Sequence, residues 1–78
     1  MSEVFDFIAD VIVDIADIEK ENIKEDSELI DSLDLSSLEI LSIIARIEKE
    51  YSIKIDENEL LSITTIKDLE DIISSKKQ

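Results

Sequence analysis

Cysteine, histidine, glycine, proline and tryptophan are all absent from this chain, and each absence excludes some chemistry. Without Cys there is no disulfide framework, no zinc–thiolate site and no intrinsic thiol nucleophile. Without His the commonest general base and the commonest metal ligand are both missing. Without Gly and Pro, phosphate-cradling glycine loops and two-residue hairpins are removed as well. Positive charge is scarce too: 8 Lys and Arg stand against 21 Asp and Glu, a formal net charge of −13. Such a surface repels nucleic acid and anionic membranes and attracts proteins that carry basic docking patches. No uninterrupted apolar run approaches the ~20 residues needed to cross a bilayer. The first residues carry acids rather than the basic segment of a signal peptide. The expectation is a soluble cytoplasmic monomer with neither nucleic acid nor membrane as a partner. Self-repulsion predicts that its melting temperature rises with salt or divalent cations. A melting temperature indifferent to ionic strength would contradict this.

What is present is mostly aliphatic and acidic. A chain of 78 residues is expected to form a single domain over 1–78, burying about 60% of the surface that its unfolded form exposes. That leaves one small core and no room for a deep substrate cleft, which argues against a self-sufficient enzyme. Val4, Phe5, Ile8, Val11, Ile12 and Ile15 recur at three- and four-residue spacing and predict a first helix over about 2–17, with Asp6, Asp10, Asp14 and Asp17 opposite. Residues 18–35 form a long acidic connection. Loops of this length are uncommon unless they are functional or disordered. Ile23, Leu29, Ile30 and Leu33 are spaced to anchor it, with a helical turn near Leu29–Leu33. Its acids lack the EF-hand register with central Gly and terminal Glu, so a calcium loop is poorly supported.

The most informative stretch follows. Ser36 and Glu39 have the Ser-x-x-Glu spacing of a capping box, and Leu35 and Ile40 fall at the two positions of a hydrophobic staple. Both signals start a helix at the same place and make Ser37 its first residue. There a hydroxyl lies beside unpaired backbone N–H groups, where anions such as phosphate are favoured. Taken alone, the local pattern favours Ser37 as only a second polar residue at a helix start, because such signatures are common. This second helix is expected over about 37–51, burying Leu38, Leu41, Ile44, Ala45 and Ile47. Ile40 and Ile43 widen the apolar face beyond what one core needs, so the helix is either central to the bundle or partly exposed for a partner. Ser52–Ile55 reads as an extended connector, because nothing is left to pair with it as a strand. Asp56 with Glu59 opens a short helix over about 57–61. Either Thr64 or Thr65 can cap a last helix over about 66–75, with Ile66, Leu69, Ile72 and Ile73 apolar and a frayed basic end over 74–78. The fold class is all-α: a small four-helix bundle with one long loop and a short third helix.

From Leu29 to Ile73 the chain resembles the acyl carrier proteins, the thiolation family modified with 4′-phosphopantetheine. The segments in order are Leu29-Ile30-Asp31-Ser32-Leu33, Ser36-Ser37-Leu38-Glu39 in place of the family's Asp-Ser-Leu-Asp, Ile47-Glu48-Lys49-Glu50-Tyr51, and Ile63-Thr64-Thr65-Ile66. The first helix matches in length and pattern only. The resemblance implies that a phosphopantetheinyl transferase attaches the cofactor to Ser37, that its thiol carries acyl groups as thioesters, and that catalysis belongs to partner enzymes. Those partners transfer, condense or modify acyl chains. The docking residues expected are Glu39, Ile40, Ile43 and Glu48. A decoy lies upstream, since Asp31-Ser32-Leu33-Asp34 spells the family motif more literally. Ser32, however, lies ahead of the helix-start signals and in the wrong register for the Glu48–Tyr51 segment. Departures from the family pattern are Ser36 for the Asp before the modified serine, Asp34 for a Gly, Ser42 for a Glu, and the positive Arg46 and Lys49. They point to a specialised lipid, polyketide, peptide or D-alanyl pathway rather than the housekeeping fatty-acid one. The missing Gly-Gly-x-Ser spelling disfavours a peptidyl carrier. An unmodified acidic helical adaptor and a divalent-cation buffer are the rivals from other classes.

Overall fold

The computed structural model describes residues 2–76 of the 78. Its helices are α1 (Glu3–Ala16), α2 (Ser37–Tyr51), α3 (Glu57–Ser62) and α4 (Ile66–Lys76). The described residues hold no strand, only an isolated antiparallel bridge between Glu28 and Thr65. α1 packs against both α2 and α4, so it is the spine of the core. Ile8, Ile12, Ile47, Ile66, Leu69 and Ile73 are all fully buried there. The expected four helices and their order are present, with ends displaced by only a residue or so. A single 3₁₀ turn at Lys20–Asn22 was not foreseen. Ser74 to Lys76, expected to fray, belong to α4; the rest of that expected end lies outside the described residues.

The helix starts follow from local chemistry. Ser2 caps α1 by accepting the Phe5 N–H. Ser36 with Glu39 and Asp56 with Glu59 both close reciprocal capping boxes on α2 and α3. Of the two threonines, Thr65 caps α4: its hydroxyl accepts the Asp68 N–H at 3.2 Å, while the Asp68 carboxylate accepts the N–H groups of Thr64 and Thr65. Those backbone bonds hold the Asp68 carboxyl below its ordinary value.

The crossing loop is ordered by two devices. Ile23, Leu29 and Leu33 are buried as expected. The loop is also sewn to the α3–α4 connection by backbone bonds, Leu29 N–H to Thr64 O at 3.0 Å, Ile66 N–H to Ser27 O at 3.1 Å and Lys67 N–H to Glu25 O at 2.9 Å. Ile30, expected to anchor the loop, is instead 63% exposed. A hydrogen-bonded turn spans 29–33. One helical turn sets Leu29 and Leu33 on the same side and leaves Ile30 on another.

α2 corrects the expected buried stripe. Ile43, Ile44 and Ile47 are buried, whereas Leu38 is 78% and Leu41 52% exposed, and Ala45 is exposed as well. Two apolar stripes run along this helix at helical spacing, and the β-branched one faces α1. Ile43 is therefore part of the core and not available to a partner.

Although the chain lacks glycine, three of the described residues stand at positive φ: Asp17, Asp34 and Ser52. Asp17 and Ser52 end α1 and α2 in left-handed caps, a place that glycine usually fills. Asp17 has a second disadvantage, since its negative charge sits at the negative end of the α1 dipole. Asp17→Gly is expected to raise stability by about 0.5–1 kcal/mol. Relief of the left-handed penalty and of the dipole conflict outweighs the added freedom of the unfolded chain. A urea titration in which the midpoint stays put or falls would contradict it.

Candidate functional site

The site is built from the start of α2. Ser36 takes an extended conformation, its Oγ accepts the Glu39 N–H at 3.2 Å, and Glu39 Oε1 accepts the Ser36 N–H at 2.9 Å. With the cap assigned to Ser36, Ser37 is left as the first helical residue, exposed. No side-chain hydrogen bond ties its hydroxyl down among the described residues. The free N–H groups and the positive dipole end of α2 lie beside it. A phosphodiester at this hydroxyl fits on both counts: it has room, and its charge is favoured.

Ser37 also lines a cavity of about 440 Å³ formed by the crossing loop, α2, α3 and the connection after α3. Most of the lining is aliphatic, from Leu29, Ile30, Ile40, Leu41, Ile44, Leu60, Leu61 and Ile63, with Glu28, Asp31 and Thr64 as its polar members. That volume and composition are ordinary for a site taking a small apolar ligand. Exposed Leu38, Leu41 and Leu61 with Ile30 place an apolar surface around the same end of the molecule.

Ser32 is exposed as well, so accessibility alone does not choose between the serines. Its N–H is bonded back to Glu28 O at 3.1 Å inside the 29–33 turn, and it is not among the cavity-lining residues. Asp34, in the place where the family pattern has Gly, adopts φ 55° and redirects the chain from that turn toward the α2 cap. Helix start, free hydroxyl and cavity coincide at Ser37.

The other singled-out residues divide. Ile40 is half-buried and lines the cavity. The Glu39 carboxylate closes the capping box. Glu48 is half-buried and accepts the Ile55 N–H at 2.8 Å, which ties the connector after α2 to the helix. Arg46, which dilutes the negative charge of α2, pairs with Asp14 of α1 at 2.9 Å, so its charge is partly spoken for. Leu38, Leu41 and Leu61 are exposed apolar residues that the sequence did not mark as such. The staple was the usable signal, because Ile40 points to the same side as buried Leu35 and thereby turns Leu38 and Leu41 outward. The described residues contain no cluster of three or more acids able to hold a metal ion, and no helix long and apolar enough to cross a membrane.

Comparison with known proteins identifies the family. The family model described as phosphopantetheine attachment site matches residues 6–73. The chain is 32% identical over 69 residues to polyketide-8 synthase acyl carrier protein 2 of Streptomyces avermitilis, covering 88% of this chain and 79% of that one. It is also 32% identical over 74 residues to an acyl carrier protein of Picosynechococcus, covering 95% and 91% respectively. Acyl carrier protein AcpXL of Rhizobium meliloti is 45% identical over 51 residues, 65% of this chain and 54% of its own length. Relatives of this kind are carriers rather than catalysts. The chain thus belongs to the phosphopantetheine-bearing acyl carrier protein family.

Proposed function

We propose that Ser37 bears the 4′-phosphopantetheine arm, and that the cavity beside it shelters an aliphatic acyl chain carried on that arm. One observation supports this above the rest: a free, exposed hydroxyl in the first turn of α2 opens on an aliphatic cavity. In loading, the Ser37 oxygen loses its proton and bonds to the phosphorus of the pantetheine-proximal phosphate of coenzyme A, whose bond to the adenosine bisphosphate breaks. The arm supplies the thiol that this Cys-free sequence lacks, and with it thioester chemistry. The N-terminal dipole of α2 favours the resulting phosphodiester charge. Ile40, Leu41, Ile44 and Leu60 hold the cargo away from water, each buried methylene contributing about 0.8 kcal/mol.

The chain acts as a cosubstrate, not an enzyme. Its partners are a phosphopantetheinyl transferase and the acyl-transferring, condensing and modifying enzymes of fatty-acid or related polyketide or lipid synthesis. Basic patches on those enzymes meet the acids of α2, among them Glu39 and Glu48, with Leu38, Ile40 and Leu41 as the apolar contacts. The predominantly aliphatic lining favours an acyl cargo, while Glu28 and Asp31 in the same wall keep a D-alanyl or aminoacyl cargo as the alternative. Incubation with coenzyme A and a broad-specificity transferase tests this, with intact mass as the readout. The expected result is gain of a single phosphopantetheine. No gain would leave an unmodified acidic adaptor.

A further inference from the structure

The cavity beside Ser37 is aliphatic where helices form it and acidic where the crossing loop does. α2 and α3 contribute Ile40, Leu41, Ile44, Leu60 and Leu61, whereas the loop brings Glu28 and Asp31. Among the described residues no Lys or Arg lines it. The cations that form ion pairs do so with residues outside the lining: Lys20 with Asp10, Arg46 with Asp14, Lys67 with Asp71 and Lys76 with Glu59. Glu28 and Asp31 form no ion pair and no side-chain hydrogen bond among the described residues. The backbone that carries them is fixed. Leu29 is buried, its N–H bonded to Thr64 O at 3.0 Å and its carbonyl accepting the Leu35 N–H at 3.1 Å. The Glu28 carbonyl accepts the Ser32 and Leu33 N–H groups at 3.1 and 3.0 Å.

A carboxylate accepts hydrogen bonds and donates none, so this wall offers an anion no counter-charge. Besides Ser37, the one side-chain donor on the lining is the Thr64 hydroxyl, too little to hold a second carboxylate away from water. The positive end of the α2 dipole also attracts anions, but the phosphodiester of the arm takes that place. We infer that the cavity is a charge filter on its cargo: it admits uncharged acyl chains and excludes those that end in a carboxylate. The filter rests on Ser37 bearing the arm and the cavity taking its cargo, as proposed above. An excluded group stays outside on the arm, open to partner enzymes, while an uncharged chain withdraws between α2 and α3. Glu28 is half-buried and Asp31 exposed, so solvent screens part of the repulsion. The expected discrimination is about tenfold in the ratio of sheltered to exposed chain, equivalent to about 1.4 kcal/mol.

Three cargoes of equal carbon number test the filter: hexanoyl, adipoyl and adipamoyl, loaded on the full chain from their coenzyme A thioesters. Adipoyl ends in a carboxylate and adipamoyl in an amide of the same shape, so charge is what separates them. Intact mass verifies loading, and the methyl NMR signals of Ile44 and Leu60 report a chain inside. At neutral pH, hexanoyl and adipamoyl are expected to move those signals from their positions in the unacylated carrier. The adipamoyl N–H groups have the two wall acids as acceptors. Adipoyl should leave the signals nearly in place, sheltered about tenfold less than adipamoyl. Glu28→Gln combined with Asp31→Asn should bring adipoyl to within about twofold of adipamoyl, with circular dichroism checking that the fold is kept.

Equal sheltering of adipoyl and adipamoyl in the unsubstituted chain would overturn the filter, as would a double variant that still excludes adipoyl. Failure to load any of the three would instead remove the reading of Ser37, and the filter with it. Loading without any movement by hexanoyl would remove the sheltering cavity.

Discussion

Alanine at position 37 is expected to abolish phosphopantetheine loading while moving the melting temperature by no more than about 3 °C. The two halves of that result belong together. The α2 cap is provided by Ser36 and Glu39, which bond each other's backbone N–H groups, so removing the Ser37 hydroxyl leaves the helix start intact. Residue 37 is exposed, and alanine is the best helix former available for a first-turn position. What disappears is the nucleophilic oxygen alone. Ser32→Ala, in the turn before the helix, should load as fully as the unmodified sequence. Loading that survives at Ser37→Ala and fails at Ser32→Ala would put the arm in that turn, against the literal advantage discounted above. Circular dichroism on both variants separates lost chemistry from lost fold.

The second large effect concerns packing. Ile47→Ala is expected to cost about 2–5 kcal/mol, the range for truncating a fully enclosed aliphatic side chain. Ile47 has no exposed surface and sits on the α2 face turned to α1. A chain of this size commands about 4–12 kcal/mol in all, so this one truncation removes a large share of its stability. Leu41→Ala on the same helix removes a side chain that is 52% exposed, and should shift stability by only about 0.5 kcal/mol. Urea unfolding with an unchanged slope reports the difference directly. Comparable losses for both would mean that the assignment of the two apolar stripes is reversed.

That pair of substitutions marks where sequence stopped being informative. The starts of α2 and α3 were legible because a capping box is written in two side chains three residues apart and needs no tertiary context. α1 was legible because a single apolar stripe alternates with aspartates. α2 was not, because Leu38-Leu41-Ala45 and Ile40-Ile43-Ile44-Ile47 both satisfy helical spacing, and only the position of α1 decides between them. Ile30 failed for a related reason: spacing identifies apolar residues in a loop, but not the turn that aims them. Glu70 was hidden altogether. Periodicity is read from apolar residues, and a carboxylate on the buried stripe of α4 is silent until Ser2 is brought to it. At the candidate site, the prominence of Ser37 was readable from its neighbours. The cavity was not, since it is assembled from the crossing loop, α2, α3 and the connection after α3.

Everything functional depends on which oxygen carries the arm. Peptide fragmentation of the loaded, unsubstituted protein by tandem mass spectrometry locates the adduct without any change of sequence. The added mass is expected on Ser37 in every modified molecule; an adduct on Ser32, or on any residue outside the first turn of α2, would contradict the assignment.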